Sequence, residues 1–271
     1  MMQATHYQHS GKMPLGGLLL TMIGGAAAAL LLAVIYGFLI FWSPFVYINF
    51  FITLGFGVGL GMAVGGLAKL GKLRNPGGVA VVALLISGAA YYGHWVVWLN
   101  RATDAVIAEP ALVWQSLTLI NAMGPWSIFG WTPSGWSLWA IWGIEALMIV
   151  GIGALGARGV VETPFCEKTG QWLERVAMPA RFQPLDAARP IDSPQTLLGS
   201  LRPMTEPAAA YTEVAVATAD GSDLCCVTLS SVEVEVKDGK EEAKKHELVR
   251  DMLFGRHEFD ELTKLAGALP A

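Results

Sequence analysis

Charged side chains are scarce in this chain of 271 residues. They make up 15% of it, against about 25% in an average soluble domain. Positions 1–157 hold only Lys12, Lys69, Lys72, Arg74, Arg101, Asp104, Glu109 and Glu145. So few charges cannot cover the surface of a water-soluble fold of that length. Cysteine is nearly missing too. Cys166, Cys225 and Cys226 all lie in the second part, which excludes a disulfide scaffold. A bridge between the neighbours Cys225 and Cys226 is strained, and in a cytosolic tail all three are expected as thiols. The signatures of common chemistry are missing as well. His246–Glu247 and His257–Glu258 open like a zinc-protease motif but lack its second histidine. There is no phosphate loop, and Ser230 and Ser231 stand in no nucleophile motif. The first eleven residues carry no Lys or Arg, and the apolar run from Leu15 is too long for a signal-peptide core. A cleavable leader is therefore not expected, and the first segment should stay in the chain.

What remains is strongly divided. Residues 158–271 carry 13 basic and 19 acidic side chains, a net charge of −6. That balance argues against a nucleic-acid partner, which needs a basic face. The first part holds four apolar stretches, at about 15–42, 46–67, 79–99 and 136–157. Each is long enough to cross a bilayer, which takes about 20 residues. Ser43–Pro44 separates the first two, because proline cannot continue a helical ladder. Asn75–Pro76–Gly77–Gly78 separates the second from the third.

Lys and Arg in short loops set the expected orientation. Lys69, Lys72 and Arg74 follow the second stretch, Arg158, Lys168 and Arg175 follow the fourth, and Lys12 precedes the first. Only Arg101 falls on the other side. Both termini are therefore expected in the cytoplasm. Trp42, Phe45, Tyr47, Trp95, Trp98, Trp126, Trp131, Trp136 and Trp139 gather toward the opposite face, where aromatic rings settle at the membrane interface. Pro110–Met123 is apolar but too short to span, and reads as a helix lying on or dipping into the outer leaflet.

In lipid, helices associate by close packing rather than by hydrophobic driving force. Gly57, Gly61 and Gly65 repeat every four residues and form a packing face, within one chain or between copies in a homo-oligomer. Glu145 is the one Asp, Glu, Lys or Arg inside the four stretches. A carboxylate at that depth costs about 2.5 to 3.5 kcal/mol on insertion scales unless it finds a partner. Ser87, Tyr91, His94 and Trp98 share one helical stripe on the third stretch, and depth puts Tyr91 and His94 near Glu145. The expected cluster is Glu145, Tyr91 and His94, with Glu145 accepting a hydrogen bond that fixes helix register. The alternative is a proton or cation site.

The tail begins with Pro164–Phe165–Cys166–Glu167–Lys168–Thr169–Gly170–Gln171–Trp172, which is similar to half of a zinc ribbon. Thr169 stands where a second cysteine would be needed, so Cys166 is a weak metal candidate, and no cofactor is expected. Residues 158–210 read as a juxtamembrane segment and linker with a short helix at Pro194–Leu201 capped by Ser193. Residues 211–271 read as a small α+β module. Tyr211–Ala219 is expected as an unpaired edge strand and Leu224–Lys237 as one long strand or two shorter ones. Asp220–Gly221 and Asp238–Gly239 are expected as turns, and Glu241–Phe254 and Glu258–Ala266 as helices.

The expected architecture is therefore a four-span helical bundle at 15–157, after a cytoplasmic tail at 1–14, followed by the α+β module. The layout resembles that of bacterial inner-membrane proteins with few spans and a small cytoplasmic domain, which implies a location and no activity. The expected role is a non-enzymatic anchor, signalling or assembly component whose module recruits a cytosolic protein. The alternatives are an oligomeric channel or proton-coupled element around Glu145, or, more weakly, a membrane-embedded enzyme.

Overall fold

A computed structural model describes residues 6–43, 45–185, 191–204, 208–237 and 240–267. Pro44 and the Asp238–Gly239 turn lie outside the described residues. The chain forms two compact units, Ser10–Glu162, and Thr163–Ala271 together with Met1–His9.

The first unit is helical, with α1 (Leu15–Trp42), α2 (Val46–Leu70), α3 (Pro76–Thr103), α4 (Pro110–Met123) and α5 (Trp136–Val160). All but α4 are long and apolar enough to cross a membrane. α3 starts three residues earlier than the hydropathy pattern suggests. Pro76 suits the first helical turn, and the Asn75 side chain accepts a 2.8 Å bond from the Gly78 amide. α1 packs on α2 and α3, and α5 packs on the same two, so α1 and α5 stand on opposite corners of a ring.

On α1 the buried face is mostly small residues, with Tyr36 as the large one, and the exposed face is large and apolar. α1 buries Thr21, Gly25, Ala29, Ala33 and Gly37 and exposes Leu19, Ile23, Leu30, Leu31 and Leu39. Small residues let helix backbones approach closely. Gly57, Gly61 and Gly65 line the contact of α2 with α5. A Cβ at Gly61 would sit 3.1 Å from the Gly153 carbonyl oxygen, and one at Gly65 2.9 Å from the Ala157 Cα. At the turn after α2, a Cβ on Gly17 would fall 2.0 Å from the Gly71 oxygen. α4 buries Val113, Leu117 and Asn121 on one face and leaves Leu112, Trp114, Leu119 and Met123 exposed on the other.

The second unit is α+β. The hairpin of β1 (Phe165–Cys166) and β2 (Gln171–Trp172) turns at Gly170, whose φ is 67°. A four-stranded antiparallel meander follows, in the order β3 (Arg175–Phe182), β4 (Ala210–Ala217), β5 (Cys225–Lys237) and β6 (Lys240–Phe254). α6 (Pro194–Ser200) and α7 (Arg256–Ala266) complete it. Strand alternation gives the sheet two apolar faces. Cys225, Val216 and Met252 join Phe182, Leu197, Leu201 and Leu262 in the main core, while Cys226, Ala217 and Leu253 turn to a smaller cluster with Cys166 and Leu173.

Three expectations for the tail are corrected. Glu241–Phe254 is not a helix but most of β6. Its Lys, Glu, Ala and Leu content favours a helix in isolation, but pairing along the valine-rich β5, from Lys237↔Lys240 to Cys225↔Phe254, overrides that preference. β4 is not an edge strand; it pairs with β3 on one side and β5 on the other. The edges are β3, which tolerates Pro179, and β6. The segment read as a linker supplies β3, and the short helix expected within it is present as α6, capped by Ser193, and buries Leu197 and Leu198. The N-terminal segment also joins this unit. His6 bridges to Met252, the Tyr7 amide donates to the Asp251 carbonyl at 2.8 Å, and the Phe165 amide donates to the Tyr7 hydroxyl at 3.0 Å.

Candidate functional site

The helical unit holds one carboxylate in its interior, and the partner of that carboxylate comes from the opposite corner of the ring. Tyr36 on α1 donates its hydroxyl proton to Glu145 Oε1. With that proton committed, Thr53 on α2 is left to donate to the Tyr36 oxygen, 2.9 Å away. Three helices are thus joined through one tyrosine. Its ring is 1% exposed, stacks on Phe56 at 4.3 Å between centroids and meets His94 edge-on at 4.9 Å.

The expected cluster is therefore rearranged. Glu145, Tyr91 and His94 do lie around the same part of the ring, with the Tyr91 and His94 rings 4.8 Å apart. Neither Tyr91 nor His94 bonds to Glu145, however. The Tyr91 hydroxyl donates to the Trp142 carbonyl at 3.0 Å. His94 is 2% exposed, and its Nδ1 makes no well-formed hydrogen bond, having only the Tyr91 carbonyl of the preceding turn nearby. Tyr36 is not among the expected residues because helical period gives depth along a span and not which helix stands across the ring. The available signal was a tyrosine hydroxyl placed deep inside the otherwise apolar run Leu30–Trp42.

Above this cluster, toward the α1–α2 turn, the ring encloses a cavity of about 430 Å³ lined by all four long helices, α4 and the loop at Pro125–Trp126. Glu145, His94, Thr53 and Asn49 supply polar groups, and Trp95, Trp98, Trp126 and Trp142 supply much of the wall. The Asn49 side-chain oxygen is buried and unbonded. The close glycine contact of α2 with α5 reaches Gly57, which meets Ile149 and Ile152; nearer the loops, Phe50, Ile141 and Ile144 line the cavity. An aromatic chain ties the surrounding helices together: Trp114 on Trp139 at 4.9 Å, Trp139 on Trp142 at 5.2 Å, Trp142 on Trp95 at 5.0 Å and Trp95 on Trp98 at 6.0 Å.

In the second unit, Cys166 is buried and its Sγ lies 3.6 Å from Asp223 Oδ1. Among the described residues, no group of three His, Cys, Asp or Glu side chains comes together to hold a metal ion. A buried polar group there centres on Asp251. β6 bulges where Thr228 faces two residues, leaving Asp251 at φ 50°. Arg175 forks onto its carboxylate, with Nε 3.0 Å from Oδ1, and Thr228 donates to the same oxygen at 3.4 Å. This is a structural clamp between β3, β5 and β6.

No protein-family model, curated protein or solved structure matches the chain.

Proposed function

We propose that this chain is a multi-pass membrane protein, non-enzymatic in role, whose α+β unit recruits a cytosolic protein. Three observations support the membrane part. Four helices have the length and composition to span, the ring turns its large apolar side chains outward, and α4 carries apolar residues on both faces. An even number of spans returns the chain to the side it started from, which agrees with the pairing of His6 and Tyr7 with β6. The lysines and arginines after α2 and α5 favour the cytoplasm for that side, and the inner membrane of a bacterium is the location this reading takes.

The recruiting role rests on β6. Its outer edge is paired at Asp251 and Met252 by the N-terminal segment, and among the described residues nothing else pairs with it. An open edge accepts an extended segment of a partner as a further strand. Lysines often guard such edges, but here Lys244 reaches Glu235 on β5 at 2.8 Å and Lys245 is ion-paired to Glu213 on β4. Both are drawn inward over the sheet, which leaves the edge backbone clear. The channel alternative gains less support, because Glu145 is bonded to Tyr36 of its own chain. The test is a photo-crosslinking side chain placed at exposed His246 on β6, or at exposed Lys264 on α7, in native membranes. A defined protein captured from position 246 and not from 264 supports the reading; capture from neither, or equally from both, overturns it.

A further inference from the structure

We propose that the cavity above Glu145 binds a lipophilic protonated amine, an ammonium group carrying an apolar chain, and that this ligand enters through the side of the helical unit. This proposal is independent of the recruiting role of β6.

The charge comes first. Glu145 and His94 are the ionisable residues that line the cavity, and no Lys or Arg does. Tyr36 serves Oε1, and no donor reaches Oε2 among the described residues. A carboxylate in an apolar surrounding is stabilised by a counter-charge that this chain does not place beside it. The Asn49 side-chain oxygen, as the amide is oriented, is a further buried acceptor without a partner among the lining residues. A group with one positive charge and several N–H donors complements such a set, whereas an anion would be repelled. A hard metal ion wants several oxygen ligands around it, and one carboxylate does not supply them.

The walls fit the same ligand. Phe41, Phe50, Trp95, Trp98, Trp126 and Trp142 line the space, and aromatic faces attract ammonium groups while also accepting hydrocarbon. The cavity, about 430 Å³, is within the range of roughly 300–1,000 Å³ typical of small-molecule sites. Phe50 and Ile144 are at once cavity walls and 52% and 59% exposed. The gap between α2 and α5 is therefore a side opening, facing the hydrocarbon if the ring spans a bilayer. An amphiphile dissolved in that bilayer reaches the site with its chain trailing outward.

The full chain in lipid nanodiscs, titrated with decylammonium and followed by tryptophan fluorescence, provides the test. The expected result is a saturable change with decylammonium and only gradual, unsaturated changes with decanol or decanoate, which report partition into lipid. Glu145→Gln, which keeps an acceptor for Tyr36, should weaken binding about tenfold or more once the charge pair is lost. Trp98→Leu, which removes one aromatic wall away from the Glu145–Tyr36 bond, should weaken it several-fold and decides the matter if Glu145→Gln does not fold. Saturation by decanol with the same affinity, or unchanged decylammonium binding in the folded variants, overturns the proposal.

Discussion

Tyr36 shows how much depends on single hydroxyls in the helical unit. It holds Glu145 and accepts from Thr53, so Tyr36→Phe leaves a buried carboxylate without its donor. Removing one partner from a buried hydrogen bond costs about 1–3 kcal/mol, more for a charged group. Tyr91→Phe removes a donor to a carbonyl that already takes part in its own helix, so it should cost about 1 kcal/mol or less. Unfolding of the purified protein in detergent should rank the two in that order, and equal midpoints would contradict the assignment. Asp251 plays the matching role in the second unit. Asp251→Ala leaves Arg175 half-buried without its carboxylate and removes the partner of Thr228. A loss of about 3 kcal/mol is expected from urea unfolding of the tail. The adjacent thiols add a pH dependence. Burial is the main force that pushes Cys225 and Cys226 each up to about 12, with Asp251 adding to it for Cys226. The unfolded thiols ionise near 9, so stability from these groups is present below pH 9 and falls as pH rises toward 12. The urea midpoint of the tail should drop between pH 8 and pH 10.5, and the drop should shrink in the Cys225→Ala, Cys226→Ala double variant.

At the level of elements, the long helices were legible and the strands were less so. Hydropathy located α1, α2, α3 and α5 because each run must satisfy its own backbone in one conformation. The spacing of Gly57, Gly61 and Gly65 marked a close-packed face, and the structure sets it against α5. Gly61→Leu should therefore force α2 and α5 apart, since a Cβ already meets the Gly153 carbonyl at 3.1 Å. The full chain should lose its cooperative melting transition in detergent, while Gly66→Leu, at a position with open space around it, should melt like the parent. The register of Glu145 was legible as a depth but not as a neighbour, because helical period fixes height along a span and not which helix stands across the ring. β6 misled for a different reason. Its composition is that of a solvated helix, and only the partner strand β5, the preceding strand in the chain, decides its conformation. α6 was legible as a helix with Ser193 as its cap, but not as part of the core. A proline- and alanine-rich surrounding concealed Leu197, Leu198 and Leu201, which are core residues. Leu197→Ala should cost about 2–5 kcal/mol, where a true linker would lose nothing.

For the molecule as a whole, the N-terminal segment is the feature with the widest reach. Tyr7 receives the Phe165 amide across 158 positions of sequence and donates to Asp251 farther on still. During synthesis, at roughly 5–20 residues per second, the first residues therefore wait on the order of ten seconds or more before their partners exist. The whole helical unit, Ser10–Glu162, is made within that interval. The module can close only if the start of the chain has been left on the side where the end emerges. If the helical unit spans a bilayer, completion of the sheet acts as an inspection of that insertion: a chain short of one crossing has its start and its end on opposite sides, and β6 is left without His6 and Tyr7.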